Sequence, residues 1–265
     1  MLKDEITDWM LKKVEERGAT GAVVGLSGGV DSAVVAGLIK KAFGDDSLGV
    51  LLPCAGSIGL DNKYARITAA QFDLETIEIN LKEVYDKYLE LFSDINFKNL
   101  GNGEYDWQHW PQTAVDASEV ENHPDHNMKP RLRMVALHYI AEKLNYLVMG
   151  TSNKSEIITG YFTNFGDNAT DLRPLGGLKK TEVWKLAREV GVPEEIINRP
   201  PSGGLRGGES DEDEIGLDYE RLDEIYHQME NGQDLSKFAQ KEVNLVKKLV
   251  KKAKSKEDIP VFTNN

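Results

Sequence analysis

The stretch Leu26-Ser-Gly-Gly-Val-Asp-Ser-Ala33 puts two adjacent glycines, two hydroxyls and a carboxylate within eight positions. Adjacent glycines let a backbone pass close to a bound anion, and a helix starting there offers unpaired N–H groups. Ser27 and Ser32 can add hydroxyl donors, and Asp31 can hold a cation that neutralises phosphate. No Gly-Lys-Ser/Thr follows, so this is not a Walker A loop. Two glycines alone read equally well as a packed strand-to-helix turn; the serines and aspartate in the same turn favour phosphate. Other chemistry-bearing residues are weaker. His123-Pro-Asp-His126 pairs two imidazoles with a carboxylate but supplies no further ligand, so a solvated loop is favoured over a metal site. Tyr105, Trp107 and Trp110 can cover a site or tack a loop to the core. Cys54, in Leu-Pro-Cys-Ala-Gly, has no histidine partner and reads as a small buried residue.

The elements around the glycines must hold them in place. Ile6, Trp9, Met10 and Val14 share one helical face in an opening helix that stops at Gly18. Gly21–Leu26 is short and β-branched, as a buried parallel strand is, and Asp31–Phe43 follows as a helix. Ser47–Leu52 and Thr76–Asn80 read as strands, with helices over Asp61–Phe72 and Leu81–Phe92. The pattern breaks down from Ser93 to Asn127, read as a long insertion loop. A helix is expected over Arg131–Leu144, then a strand over Asn145–Gly150, a helix opened by Thr151–Glu156, and another over Thr181–Val190. This alternation predicts an α/β fold: a doubly wound, mostly parallel sheet flanked by helices. Residues 209–224 carry nine acids against one arginine, with Ser210 as helix cap; residues 237–258 carry eight lysines against three acids around Val243, Val246, Leu249 and Val250. The chain therefore reads as a single domain over 1–265, with 93–127 inserted and 209–265 as a helical C-terminal extension.

Thirty-two basic and 44 acidic residues give a net charge of −12 in 265 residues. That balance argues against nucleic acid or an anionic membrane as principal partner. The single cysteine excludes an internal disulfide and suits a cytoplasmic protein. The charged opening MLKDEITDWMLKKVEERG is no secretion signal, and no apolar run approaches the ~20 residues of a membrane span.

The Ser-Gly-Gly-x-Asp-Ser string resembles the pyrophosphate-binding loop of the ATP pyrophosphatase superfamily. Gly150–Asp167, Asn127-Met-Lys-Pro-Arg-Leu-Arg-Met134, Asp171–Thr181, Pro201-Ser-Gly-Gly-Leu205 and Asp211-Glu212 resemble successive blocks of its ammonia-dependent NAD synthetase family, in the same order and from about residue 5 to 230. The resemblance implies an adenine nucleotide alpha hydrolase-like fold and amidation of nicotinic acid adenine dinucleotide by ammonia. ATP would activate the carboxylate as an acyl adenylate, releasing pyrophosphate and then AMP. By matching position, Gly25, Leu26, Ser27, Gly28, Gly29, Val30, Asp31, Ser32, Thr151, Lys180 and Ser202 would bind ATP. Asp31 and Glu156 would bind Mg²⁺, with Lys180 as a further catalytic cation. Arg131, Asn164 and Asp171 would face the acid substrate. A homodimer is implied as well.

Three departures fall on the acid-substrate side. Asn164 stands where the family has lysine, Arg206 and Glu209 replace tryptophan and glutamine, and Ser255-Lys256-Glu257-Asp258 replaces a His-Lys-Arg cluster, leaving only Lys256 to correspond. The ATP half is intact, so the expectation is an NAD synthetase, with an amide ligase for another carboxylic acid as alternative. A tRNA-thiolating enzyme is disfavoured by the acidic balance and the absence of a second cysteine. A non-catalytic nucleotide-binding regulator is disfavoured by Asp31 and Glu156. With no room for a glutaminase domain and one unsuited cysteine, free ammonia is the expected nitrogen source.

Overall fold

A computed structural model of the protein describes residues 1–55, 59–93, 124–201 and 210–257. Ser202, Arg206, Glu209, Asp258, the cluster Tyr105–Trp110, His123 and the insertion up to residue 123 lie outside the described residues.

Four strands, β1 (Gly21–Gly25), β2 (Ser47–Leu51), β3 (Thr76–Glu78) and β4 (Tyr146–Val148), form one parallel sheet in the order β3-β2-β1-β4. β1 is central, pairing Ala22 with Ser47 and Gly25 with Val50 on one side, and Gly21 with Tyr146 and Val23 with Val148 on the other. Its period-two alternation feeds two cores. Ala22 and Val24 face a layer made with α1 (Leu2–Glu16), α2 (Val30–Phe43), α3 (Gly59–Gln71) and α7 (Lys180–Val190). Val23 faces the opposite layer, with Tyr85 of α4 (Lys82–Ser93) and Ile140 of α5 (Pro124–Leu144). The doubly wound parallel reading is therefore observed.

Two expected boundaries move. β3, an exposed edge strand, ends at Glu78 rather than at Asn80. The helix expected from Arg131 begins at Pro124, so residues 124–127 belong to it and not to the insertion. Proline is well suited to a first helical turn, whereas Pro130 inside the helix interrupts the periodic signal and hides its true start.

After the short α8 (Glu194–Ile197), the C-terminal helices α9 (Asp211–Ile215), α10 (Tyr219–Glu230) and α11 (Gln240–Glu257) bury Tyr219, Leu222, Ile225, Val246 and Leu249 in a third core. Trp184 of α7 packs against both this core and the first, so these helices are joined to the α/β layer through α7. α11 packs on α6 (Lys154–Thr159), and α10 on α7.

Candidate active site

Strand order reverses between β1 and β4, because the crossovers from β1 lead one way to β2 and the chain later returns to β1's other edge. A crevice opens beyond the carboxyl ends of strands at such a point. Here it is a cleft of ≈ 290 Å³ bordered by the β1–α2 turn, residues 149–152 after β4, the N-terminus of α7 and residues 161–170.

The β1–α2 turn is internally braced. Gly28 has φ +82°, and Gly29 is the N-cap of α2. Ser32 Oγ donates to the Gly29 carbonyl at 2.9 Å and lies 3.0 Å from Ser27 Oγ, while Ser27 Oγ accepts from the Gly29 N–H at 3.3 Å. Arg199 holds the turn from outside. One guanidinium nitrogen donates to the Gly28 carbonyl at 3.3 Å, another pairs with Asp61 of α3, and the group stacks on Tyr64 at 5.1 Å.

Beside the turn sits a buried charge cluster. Lys180, the first residue of α7 and 2 % exposed, places its ammonium 2.5 Å from Asp31 Oδ2 and 3.3 Å from Glu156 Oε1. Asn153 ties the two carboxylates together. Its amide donates to Asp31 Oδ1 at 2.9 Å, its carbonyl caps Glu156 N–H at 3.0 Å, and Glu156 Oε2 accepts from Asn153 N–H at 3.2 Å. This Asn-x-x-Glu capping box starts α6 and aims Glu156 back at the cleft. Burial, then repulsion from Asp31, pushes the Glu156 carboxyl up to about 8, against the pull of Lys180. Burial opposes charge on Lys180, but Asp31 and Glu156 outweigh it and raise its pKa. The ammonium also lies 5.2 Å from the centre of the Tyr219 ring.

A second tier fixes where Lys180 begins. Asp223 of α10 accepts from Ser155 Oγ, from Thr181 Oγ1 at 2.8 Å and from Thr181 N–H at 3.1 Å. Ser155 Oγ in turn accepts from Lys180 N–H at 2.9 Å. One buried carboxylate thus locks the first turns of α6 and α7 together. Asp223→Ala leaves these donors unmet and is expected to cost about 3 kcal/mol in urea unfolding; a loss below about 1 kcal/mol would show that water replaces the carboxylate.

Of the residues expected from sequence, Gly25, Leu26, Ser27, Gly29, Val30, Asp31, Thr151, Glu156 and Lys180 line the cleft. Gly28 and Ser32 shape the turn beneath it. Arg131 and Asn164 meet each other, Arg131 Nε donating to the Asn164 carbonyl at 3.2 Å, next to the cleft-lining Pro130 and Thr163. Asp171 does not join them. Its carboxylate closes the edge of β4 by accepting Val148 N–H at 2.8 Å and reaches Arg17 at 3.4 Å. Asn153, Arg199 and Asp223 were not singled out from the sequence. The capping-box spacing could have found Asn153, whereas Arg199 and Asp223 act through contacts far apart in the chain.

The donor set fits magnesium that arrives with phosphate. Two carboxylates face one cleft, and among the described residues no group of three or more His, Cys, Asp or Glu side chains could cage a metal. Magnesium is commonly held by one or two carboxylates with phosphate and water completing the shell. Without it, Glu156 carries a pH signature. A carboxyl whose folded pKa is about 8 rather than 4.5 lends stability below pH 4.5 that is lost as pH rises through 8. Glu156→Gln is therefore expected to lose about 4 kcal/mol less than the parent between pH 5 and 8.5, free of nucleotide and magnesium. Urea titrations across that range check it, and parallel curves would refute it.

A glycine turn at the switch point, with paired carboxylates beyond it, places the chain among α/β proteins that bind nucleotide phosphate at the carboxyl edge of a parallel sheet. The profile of the NAD synthase family matches residues 2–260, and the chain belongs to that family. It is 41 % identical over 257 residues to the NH(3)-dependent NAD(+) synthetase of Carboxydothermus hydrogenoformans, covering 97 % of this chain and 94 % of that protein. It is 40 % identical over 264 residues to the enzyme of that name from Methanocaldococcus jannaschii, at 97 % and 94 % coverage. Among solved structures, NMN synthetase from Francisella tularensis superposes with a TM-score of 0.82 at 28 % identity, over 100 % of this chain and 98 % of that one. NH3-dependent NAD synthetase from Campylobacter jejuni, in complex with the nitrate ion, gives 0.76 at 26 % identity, over 99 % and 98 %.

Proposed function

We propose that this protein is a ligase that forms NAD from nicotinic acid adenine dinucleotide, ATP and ammonia. The observation that carries this reading is the Asp31–Lys180–Glu156 cluster beside the glycine turn, in a chain of the NAD synthase family. The nicotinate carboxylate oxygen attacks the α-phosphorus of ATP and pyrophosphate leaves. Ammonia then attacks the acyl carbon, AMP departs with the carboxylate oxygen, and the nitrogen sheds a proton. Little covalent work falls to the protein, so rate comes from positioning and charge. The N–H groups at the start of α2 and the hydroxyl of Ser27 would meet the phosphates, while Ser32 braces the turn beneath them through the Gly29 carbonyl. Lys180 adds a positive charge that costs no reorganisation, since Asp31 and Glu156 already hold it. Asp31 and Glu156 would hold a Mg²⁺ carried in with ATP, which would supply further charge neutralisation for the phosphates. Arg131 and Asn164 lie toward the acid substrate, and Ser202 completes the ATP side by family match.

Relatives near 40 % identity that carry the name NAD(+) synthetase favour the dinucleotide over another acid. The test is AMP and NAD formation from ATP, ammonium and the dinucleotide, with nicotinic acid mononucleotide run beside it. A folded, ATP-binding sample that turns over neither acid would sink the reading. Turnover of the mononucleotide alone would move it to the alternative.

We infer a homodimer from an exposed apolar surface. Val135 and Tyr139, one turn apart on α5, are 59 % and 62 % exposed, and Leu91 and Phe92 of the neighbouring α4 are exposed too. Such a patch is commonly an interface. Tyr139→Glu is expected to halve the mass measured by light scattering, and an unchanged mass in both proteins would remove this face as the contact. No helix among the described residues is long and apolar enough to cross a membrane. A cytoplasmic location is in keeping with the single cysteine.

A further inference from the structure

The last turn of α11 reaches back to the wall of the cleft. Lys256 Nζ donates to the carbonyl of Gly160 at 2.8 Å and to that of Phe162, and sits 4.3 Å from the centre of the Phe162 ring. The Lys256 carbonyl accepts from Asn164 Nδ2 at 3.0 Å, and the Asn164 carbonyl accepts from Arg131. The approach is close. A Cβ added to Gly160, which has φ +72°, would lie 3.2 Å from Ala253 Cα. Phe162 and Thr163, within the segment so gripped, are buried and line the cleft.

We propose that Lys256 is a positioning residue for the acid substrate: its ammonium fastens the 160–164 segment from behind and so holds Arg131 and Asn164 in register, without touching substrate itself. The inference rests on the amidation reading above. By sequence resemblance Lys256 would correspond to a cation facing the dinucleotide, yet its donors are committed to two backbone carbonyls on the protein side. Burial lowers its pKa to about 8; Asp167 faces it and supports the charge, while Lys252 on its own helix and Arg131 on α5 oppose it. Losing the proton removes the charge assistance from both carbonyl bonds and the attraction to the Phe162 ring.

Lys256→Met and Lys256→Arg decide the matter. The methionine variant is expected to raise KM for the dinucleotide at least tenfold, with KM for ATP and kcat within twofold. It should also speed hydrogen exchange at the Tyr161, Phe162 and Thr163 amides at least tenfold, since these now donate to Glu156 O, Gly160 O and Asp167 Oδ1. Arginine should restore KM and, staying charged, flatten the rise in dinucleotide KM that is expected of the parent between pH 7.5 and 9.5. Unchanged exchange in the methionine variant, or equal losses for both substrates, would overturn the proposal. So would an arginine variant with parent-like exchange and a still-raised KM, which marks a direct substrate contact. If the parent turns over no dinucleotide, the amidation reading fails on its own and the exchange measurement still decides the fastening.

Discussion

Lys180→Met is expected to lower AMP formation at saturating ATP by about 10³-fold and to cost about 3 kcal/mol of stability. The side chain is 2 % exposed and bonded to both carboxylates. Methionine nearly preserves the volume against Tyr219, so packing loss is small. What changes is charge. Asp31 and Glu156 would face each other with no cation between them, and removing one partner of a buried ion pair typically costs about 3–5 kcal/mol. Glu156, pushed up to about 8 by burial and Asp31, already holds a proton at neutral pH when magnesium is absent; losing Lys180 drives its pKa higher, which relieves part of that cost but makes the proton harder for magnesium to displace. The relief is damaging to catalysis, because a protonated Glu156 no longer serves magnesium. The rate effect follows from losing a preorganised charge where pyrophosphate leaves, for which removing a single group costs about 10²–10³. Quenched-flow measurement of AMP, beside urea unfolding, checks both halves. A variant within tenfold of the parent rate would show that Lys180 is only a counter-ion for the carboxylates.

Legibility of this site in the sequence varied with distance along the chain. β1, the glycine turn and α2 are contiguous, and Ala22–Val24 followed by two glycines and an apolar helix states its structure locally. Glu156 stands three residues from its cap Asn153, again a local signal. Asp171 shows what matching by position does not reveal: its carboxylate bonds the β4 edge and Arg17, partners 23 and 154 positions away. Asp223 meets Ser155 across 68 positions and Thr181 across 42, so no window of sequence reveals that α10 anchors α6 and α7. The early start of α5 was hidden for another reason. His-Pro-Asp-His and an internal proline lack the 3.6-residue apolar rhythm, yet the helix forms because Met128, Leu132, Ala136 and Ile140 find a core on the sheet. The acidic balance gains a local meaning as well. Asp211–Glu214 supply the first turn of α9, where negative charge is favoured, and Ser210 caps it.

The two glycines of the turn do different jobs, and substituting each separates them. Gly28 is conformational. Its φ of +82° suits glycine, and a Cβ there would lie 2.3 Å from the Asp61 carbonyl oxygen, closer than any real contact. Asp61 cannot step aside freely, because Arg199 pairs with it while donating to the Gly28 carbonyl, so moving one end pulls the other. Gly29 has ordinary φ of −90°, and an added Cβ would meet only Ser27 Oγ at 3.5 Å. Its freedom lies toward the cleft. Gly28→Ala is therefore expected to weaken ATP binding at least 100-fold, about 2.7 kcal/mol, and to lower the melting temperature of the ligand-free protein by several degrees. Gly29→Ala should leave the ligand-free melting temperature within about two degrees while still weakening ATP, since the methyl group sits where phosphate approaches the helix N-terminus. Calorimetry with and without ATP reads both. If the two variants lose stability equally, the turn is held as one rigid unit; if Gly29→Ala binds ATP as the parent does, the phosphates lie elsewhere along the cleft.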